Sequence, residues 1–291
     1  MAVFGSFLLA APACGRGATP ANPSVPTLPA SNRAPMQIKV MTFNIQHGID
    51  GTNRYNLQRS IDTIARVQPD IVGLQEVTRN HPSYACDDQP ALIASGLRAA
   101  TGQTWDVVYE QEWFTPDISC QKSGKGTGPE TEGLAFLTRR SMSGATMVPL
   151  PDSRIGLQVG VQDIYGLPVA VTHLSSGAAK AAARLQQIDR LMSWVRGFGQ
   201  PLILMGDFNT DPQAPELQSV LAGFRDAWSD AVAAGRIVGA GMIQRSTRVD
   251  YIFYAPGSSM TLDAGEFVDT AALIGVVASD HQPFVATFTV R

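Results

Sequence analysis

Residues 201–212 read PLILMGDFNTDP. Their mostly apolar first half predicts a short buried strand, and the polar residues that follow end it at once. Asp207 and Asn209 therefore lie directly after a strand, at the edge of a sheet where α/β proteins build their sites. Taken alone, the two residues could simply form an Asx turn. The stretch becomes informative because other predicted strands also end in polar residues.

Polar residues flank four more predicted strands, and a further carboxylate lies inside an apolar run. Each residue alone has an ordinary explanation, such as a cap, a turn or a hydrogen-bonded core histidine. A carboxylate within VDYIFY is harder to explain, because a buried charge needs a partner. Since these coincidences would all have to occur together, we interpret the set as one site. Its members are Asn44 after strand 37–43, Glu76 after strand 70–74, His173 after strand 168–172, Asp250 in the apolar run, and Asp280 with His281 before strand 283–290.

Carboxylates, an amide and histidines in this combination suit the hydrolysis of a phosphate ester at a hard cation. Mg²⁺ prefers oxygen ligands and keeps several waters, so one or two carboxylates and an amide oxygen suffice. Such an ion polarises the phosphoryl oxygen and stabilises the leaving group. An Asp–His pair can activate water or protonate the leaving oxygen, because the carboxylate fixes the imidazole tautomer and raises its basicity.

The composition limits the alternatives. The chain of 291 residues has 22 basic and 25 acidic residues, a net charge of −3. This balance argues against a polybasic nucleic-acid binder. Three cysteines are too few for a disulfide scaffold. We find no nucleophile elbow, zinc-protease motif, phosphate-binding P-loop or pair of cysteines at zinc spacing.

The N-terminal residues are predicted to lie outside the folded domain. Residues 1–14 are apolar, end in small residues before Cys14 and are similar to a secretory signal with a lipoprotein site. Residues 15–35 contain five prolines and predict an extended linker. We therefore expect an exported protein, secreted, periplasmic or held at a membrane by a lipid on Cys14. Residues 36–291 form the predicted domain, in which strands and helices alternate.

Several segments of this domain resemble one known family in order and spacing. They are MTFNIQHG, LQEV, TEGLAFLTRR, VTHLSS, GDFNTDP, RVDYIFY and SDHQPF. These segments are similar to the motifs of the endonuclease/exonuclease/phosphatase superfamily, which includes deoxyribonuclease I-like nucleases, sphingomyelinases and inositol polyphosphate phosphatases. The resemblance covers residues 36–291 and implies an α/β (α+β) fold, a four-layer α/β/β/α sandwich. It also implies Mg²⁺-dependent phosphoester hydrolysis, with Mn²⁺ as a substitute ion.

The resemblance implies a role for each matching residue. Asn44, Glu76 and Asp280 correspond to the metal site, with Glu76 as the main ligand. The remaining residues correspond to catalytic groups. They are Asp207 and Asn209, which orient the attacking water, His281 paired with Asp250 as base or phosphate stabiliser, His173 as the histidine that contacts phosphate or protonates the leaving oxygen, and Glu132 as the acid that orients His173.

The substrate is left open by the sequence. We favour a phosphodiester over a monoester, and nucleic acid, phospholipid and small phosphoesters all stay possible substrates of a monomeric enzyme. A sphingomyelinase-like lipid phosphodiesterase, a phosphomonoesterase and an inactive binding module on the same fold are the alternatives. The aperiodic segment 111–131, with Trp113 and Phe114, predicts a long selectivity loop. In an exported protein we expect Cys86 and Cys120 to form a disulfide that ties this loop down.

Two further histidines and an arginine lie near the motifs. His47 and Arg79 follow the metal-site motifs closely, so we expect both to line the cleft. His81 has no motif support.

Overall fold

The computed structural model describes residues 34–199, 201–239, 247–257 and 259–291. The signal-like segment 1–14 with Cys14, and the linker up to residue 33, lie outside the described residues. Within those ranges, no helix combines the length and the apolar character needed to cross a membrane.

The described chain forms two six-stranded sheets. The strand order is β11-β12-β1-β2-β4-β3 in the first sheet and β5-β6-β7-β8-β10-β9 in the second. The strands are β1 (Met36–Asn44), β2 (Ile71–Arg79), β3 (Asp106–Thr115), β4 (Glu130–Thr138), β5 (Thr146–Leu150), β6 (Arg154–Val161), β7 (Leu167–His173), β8 (Ile203–Asp207), β9 (Arg225–Asp226), β10 (Asp250–Tyr254), β11 (Met260–Phe267) and β12 (Phe284–Val290).

Helices lie between the strands along the chain. They are α1 (Gln58–Val67), α2 (Gln89–Thr101), α3 (Ser119–Lys122), α4 (Ala181–Val195), α5 (Gln218–Leu221), α6 (Ala227–Ala233) and α7 (Thr270–Ile274). Apolar residues of α1, α2 and α7 share a core with the first sheet. Apolar residues of α4 and α5 share another with the second sheet.

Successive residues of one strand pack into different cores. In β1, Val40 belongs to the core between the two sheets, and Met41 belongs to the core under the helices. In β8, Met205 belongs to the core between the sheets, and Leu204 belongs to the core under the helices of the second sheet. Successive strand residues point to opposite faces, so a strand that is buried on both sides carries an almost continuous apolar run. The two sheets pack face to face with helices outside, which confirms the four-layer α/β/β/α sandwich.

The predicted loop 111–131 is shorter in the structure. β3 continues to Thr115 and β4 begins at Glu130, so the connection spans residues 116–129 and includes α3. The prediction was wrong because a bulge between Gln111 and Trp113 interrupts the alternation that marks a strand. Trp113 and Phe114 consequently pair with β4, and Glu132 lies within β4 opposite Trp113.

The predicted disulfide between Cys86 and Cys120 is confirmed, with the two Cα atoms 5.5 Å apart. It joins residues 80–88, which follow β2, to the connection between β3 and β4. Both segments thereby meet beside the carboxyl end of β2, where the polar strand ends gather.

Candidate active site

The polar strand ends converge because of strand direction and register. β1 runs parallel to β2, and β7 runs parallel to β8, so each pair presents its carboxyl ends at one edge. In the second sheet, His173 pairs in register with Asp207. Asp250, at the start of antiparallel β10, pairs with Asp207 from the other side. The sheet itself therefore places these three side chains next to one another.

Asp207 lies at the centre of this cleft and is almost fully buried. Gly206 before it has φ of 143°, and a Cβ on Gly206 would lie 2.0 Å from the carbonyl oxygen of Thr172. Only glycine allows the strands to approach so closely just before the acid. Asp207 Oδ1 accepts a hydrogen bond of 2.8 Å from the N–H of Asn209, which leaves Oδ2 to face the cleft.

Glu76 reaches the same cleft from the first sheet. The pairing of β2 with β4 shifts between Leu74 and Val77, and Glu76 lies in this bulge with φ of 56°. Bulges of this kind redirect side chains near active sites. Asn44 Nδ2 donates to Glu76 Oε1 at 2.9 Å and to Asp207 Oδ2 at 3.2 Å. The buried amide of Asn44 thus links the acids of the two sheets.

The ring of His281 is held by the carboxylate of Asp250, the acid that lies within the apolar run VDYIFY. Its Nδ1 lies 2.8 Å from Asp250 Oδ2, and its Nε2 lies 3.6 Å from Asp207 Oδ2. Because a carboxylate accepts, Nδ1 carries a proton. The neutral ring then has its lone pair on Nε2, which faces the cleft. The partner that the burial of Asp250 requires is therefore His281.

His173 is held in the opposite way, by a cation. Arg154 Nη1 lies 3.1 Å from His173 Nδ1 and 3.1 Å from Glu112 Oε2. Guanidinium groups only donate, so Nδ1 accepts and the neutral ring carries its proton on Nε2. That Nε2 lies 3.7 Å from Asp207 Oδ2. Glu112 and Arg154 were missed by the sequence analysis, because neither belongs to a recognisable motif.

Glu132 lies close to His173, because one carboxylate oxygen of Glu132, one of Glu112 and a ring nitrogen of His173 are all within 4.8 Å of one another. Its nearest charged partner is His47, whose Nε2 lies 2.7 Å from Glu132 Oε2. Burial raises the pKa of Glu132, but the hydrogen bond and charge of His47 outweigh it and hold the pKa below its usual value. The groups in contact with His173 Nδ1 are Arg154 and Glu112. Arg154 and Glu112 therefore lie on the Nδ1 side of His173, and the orienting role that the resemblance implies for Glu132 stays a prediction.

The remaining predicted residues divide between the cleft and its surroundings. Asn209 lies beside Asp207, with φ of 50° and its Nδ2 donating to the carbonyl oxygen of Leu174. Asp280 is exposed at the rim, and its N–H donates to Gln46 Oε1. Its Oδ1 accepts a hydrogen bond of 3.4 Å from Ser279 Oγ. Arg79 pairs with Asp88 at 3.0 Å and stacks over Tyr109, and its place in the lining of the cleft stays a prediction.

Electrostatics in the cleft favour a bound cation. Burial, together with the charge of Asp250, raises the pKa of Asp207. Asp250 Oδ1 and Glu112 Oε1 are buried and have no hydrogen-bond partner in the described part of the chain. Glu76 keeps 22% of its side chain exposed, so it can bind an ion that enters from solvent. Carboxylate oxygens with unneutralised charge fit a hard divalent ion such as Mg²⁺.

The chain matches one family model, described as the endonuclease/exonuclease/phosphatase family, over residues 41–281. A comparison with curated proteins finds no match to this sequence.

Solved structures share the fold. An endonuclease/exonuclease/phosphatase from Beutenbergia cavernae is 26% identical, with a TM-score of 0.65, over 87% of this chain and 72% of that one. The human Nocturnin catalytic domain is 22% identical, with a TM-score of 0.61, over 90% and 98% of the two chains. ANGEL2, described as a 2′,3′-cyclic phosphatase, is 17% identical, with a TM-score of 0.60, over 88% and 96%. At these identities, the likeness to Nocturnin and ANGEL2 shows the fold alone.

Proposed function

Because the chain belongs to the endonuclease/exonuclease/phosphatase family, we propose that it is an exported, Mg²⁺-dependent hydrolase that cleaves a phosphodiester by in-line attack of water. The observation that carries this proposal is the arrangement around Asp207 Oδ2. The Nε2 atoms of His281 and His173 lie 3.6 and 3.7 Å from it. Both separations exceed a direct hydrogen bond and suit an oxygen atom of water or phosphate between the groups.

The metal-binding residues would be Asn44 and Glu76, with Asp280 at the rim as a third acid. A bound Mg²⁺ polarises the phosphoryl oxygen and neutralises charge that develops on the leaving oxygen. Glu76 suits this task because the bulge directs it into the cleft while leaving it partly exposed. Asn44 positions Glu76 through its hydrogen bond of 2.9 Å.

Attack by water would be promoted on the side of His281. Asp250 keeps the proton of the neutral imidazole on Nδ1, so Nε2 can accept a proton from water. Asp207 lies next to that nitrogen and can hold the water in position. Asn209 supports Asp207 through its backbone N–H.

Departure of the leaving group would be assisted on the side of His173. Its Nε2–H can donate a hydrogen bond to the phosphate or to the leaving oxygen, and Arg154 keeps it in that tautomer. Arg154 is 16% exposed and lies beside this position. It therefore also offers a permanent positive charge to the phosphate.

The charge of the cleft favours a diester over a monoester. In the described part of the cleft, five carboxylates (Glu76, Glu112, Glu132, Asp207 and Asp250) surround three histidines and Arg154. A phosphodiester brings one negative charge, and a monoester brings nearly two at neutral pH. Among the described side chains of this set, Arg154 is the one fixed cation and shares its charge with Glu112, so the second negative charge of a monoester would be balanced less well than the single charge of a diester.

A lipid phosphodiester is the second candidate substrate. Phe114 and Ile118 expose 59% and 37% of their surface at the end of β3 and in the connection that follows. Lys122 and Lys125 in the same connection are also exposed. Exposed apolar side chains next to lysines suit contact with a phospholipid surface.

Export is proposed from residues 1–35 alone. A signal-like segment that ends at Cys14 and a proline-rich linker suit a domain that is secreted or held at a membrane. Expression of the chain and of Cys14→Ala in a bacterium, followed by fractionation, tests both points. An anchored protein should move to the soluble exported fraction in the variant. Retention of both forms in the cytoplasm would contradict export.

A substrate panel tests the reaction. Plasmid DNA, RNA, adenosine 2′,3′-cyclic phosphate, sphingomyelin and inositol phosphates would each be incubated with Mg²⁺ and with EDTA. We expect hydrolysis of a diester with Mg²⁺ only, and its loss in Glu76→Ala. Asp189→Ala, which removes an exposed carboxylate on α4, is the matched control and should leave the rate unchanged. Hydrolysis that persists in EDTA would refute the metal-dependent mechanism.

A further inference from the structure

One side of the cleft is formed by two segments that a covalent bond joins. Residues 80–88 and 116–129, here called the disulfide-tied wall, are linked by Cys86–Cys120. Asn80 adds two hydrogen bonds across the wall, to the carbonyl oxygen of Pro129 and from the N–H of Thr127. Both hydrogen bonds are exposed to solvent, so each contributes little by itself. The disulfide is therefore the strongest link within the wall.

The wall reaches the cleft through Tyr84. The Tyr84 ring stacks on the imidazole of His47, with centroids 5.2 Å apart and planes 12° from parallel. Its hydroxyl lies 3.3 Å from His47 Nδ1. The second ring nitrogen of His47, Nε2, lies 2.7 Å from Glu132 and 3.6 Å from Glu76. A continuous set of contacts thus runs from the wall to the principal metal-binding acid.

The backbone conformation at His47 indicates that the surrounding structure holds its side chain in place. Gln46 and His47 both have left-handed conformations, with φ of 48° and 55°. Such conformations are unfavourable for residues with a side chain and persist where the surrounding structure holds them. Gln89 Nε2 donates to the carbonyl oxygen of His47 at 2.7 Å and fixes the turn. The turn delivers the imidazole between two acids, which an extended continuation of β1 would not do.

We propose that His47 is a positioning residue for the metal-binding carboxylate of Glu76, and that the Cys86–Cys120 disulfide maintains it through Tyr84. The inference rests on the proposed Mg²⁺ site. Asn44 and His47 make the two closest described contacts of the Glu76 carboxylate, and His173 Nε2 lies farther away, at 4.0 Å. Removing His47 takes away the imidazole that lies 3.6 Å from Glu76 and deprives Glu132 of its nearest partner, so Glu76 keeps the hydrogen bond from Asn44 as its one close described contact. Mutation of a group that orients a metal ligand in this way commonly lowers metal affinity by about 10- to 100-fold.

The disulfide makes this positioning sensitive to reduction. A dithiol reductant transfers two electrons and two protons to the S–S bond, which yields two cysteine thiols and the cyclic disulfide of the reductant. Between its two segments, the described wall then keeps the two exposed hydrogen bonds of Asn80, and the ion pair of His81 with Glu130 at 3.2 Å holds it to β4. Tyr84 keeps its ring contacts with His81 and Tyr55, but the covalent bond that fixes its segment beside His47 is lost. Metal affinity should consequently fall on reduction, even with every metal ligand intact.

The proposal can be tested without any substrate by titrating the full chain with Mn²⁺. The electron paramagnetic resonance signal of the free ion gives the Kd for Mn²⁺. We expect His47→Ala to raise the Kd about 10- to 100-fold. His47→Gln should restore most of the affinity, because its amide nitrogen can replace the Nε2 donor. Tyr84→Phe removes one hydroxyl and should raise the Kd about two- to tenfold. Dithiothreitol should weaken binding to the wild type and leave the Cys86→Ser/Cys120→Ser variant, already weakened, unchanged.

Tyr109→Phe is the matched control for Tyr84→Phe. The Tyr109 hydroxyl donates to Thr131 Oγ1 at 2.9 Å and does not touch His47. Its loss should leave the Kd unchanged, and near-ultraviolet circular dichroism verifies that each variant is folded. If Glu76→Ala weakens binding but His47→Ala and reduction do not, the positioning role is overturned. If Glu76→Ala binds Mn²⁺ as tightly as the wild type, the proposed metal site itself fails, and this inference fails with it.

Discussion

The two histidines of the cleft differ in what holds them. His281 Nδ1 faces the carboxylate of Asp250, whereas His173 Nδ1 faces the guanidinium of Arg154. Both rings direct Nε2 toward Asp207 Oδ2 at nearly the same distance. An acceptor behind the first ring leaves a lone pair on its Nε2, and a donor behind the second leaves a proton there. The proposed mechanism accordingly gives two chemically identical side chains opposite tasks, one to accept a proton and one to donate a hydrogen bond.

His281→Gln should cause the largest loss. The amide of glutamine can occupy the place of Nε2 but cannot take a proton from water. We expect kcat to fall on the order of 10⁴-fold, the upper part of the range for a general base. Steady-state kinetics on the best substrate of the panel measures this loss. A fall of less than tenfold would show that His281 is not the base.

Asp250→Asn should cause the next largest loss. The amide that replaces the carboxylate can donate to His281 Nδ1, which would move the imidazole proton to Nε2 and remove the lone pair from the cleft. We expect kcat to fall on the order of 10³-fold, by analogy with the orienting acid of a catalytic triad. Thermal unfolding distinguishes this effect from misfolding. Unchanged kcat in a folded variant would contradict the assignment of the tautomer.

Arg154→Met should cost less than either change. It keeps most of the aliphatic length but removes the donor to His173 Nδ1 and the fixed charge beside the phosphate. We expect kcat/KM to fall on the order of 10²-fold, as for the loss of one donor to a developing negative charge. Arg154→Lys should recover part of the rate. Equal activity of the methionine variant and the wild type would show that Arg154 serves only the ion pair with Glu112.

His173→Gln should cause the smallest loss and gives the most direct test of the comparison. Its amide N–H can replace the Nε2–H donor, so we expect a reduction of about tenfold. His173→Leu, which donates nothing, should lose on the order of 10²-fold. Rates of both variants are compared with that of His281→Gln. Equal falls in kcat for His173→Gln and His281→Gln would show that the two histidines have the same role.

Much of the fold could be predicted from the sequence because local patterns specify it. The apolar runs of β1, β2 and β8 lie close to where the pattern placed them. The end of β3 could not be predicted, because a bulge breaks the alternation and only the pairing with β4 defines the strand. Strands β5 and β11 were also missed, since their mixed exposed and buried residues give no strong apolar run.

The site also contains residues that the sequence could predict and residues that it could not. Residues that end a strand, such as Asn44, Asp207 and His173, could be found because a polar residue after an apolar run is visible in the sequence. Glu112 and Arg154 could not be found, because they lie inside or at the start of strands from different sheets. Their contact depends on how the two sheets pack, which leaves no local signal.

The sequence by itself determined the types of chemical group in the cleft, the need of Asp250 for a partner and the family to which the chain belongs. Only the tertiary structure decided which acid holds which histidine. Glu132 pairs with His47, and Glu112 with Arg154 holds His173. The physical reason is that strand periodicity is a local property, whereas a single bulge or a shift in sheet packing reassigns every contact across the cleft.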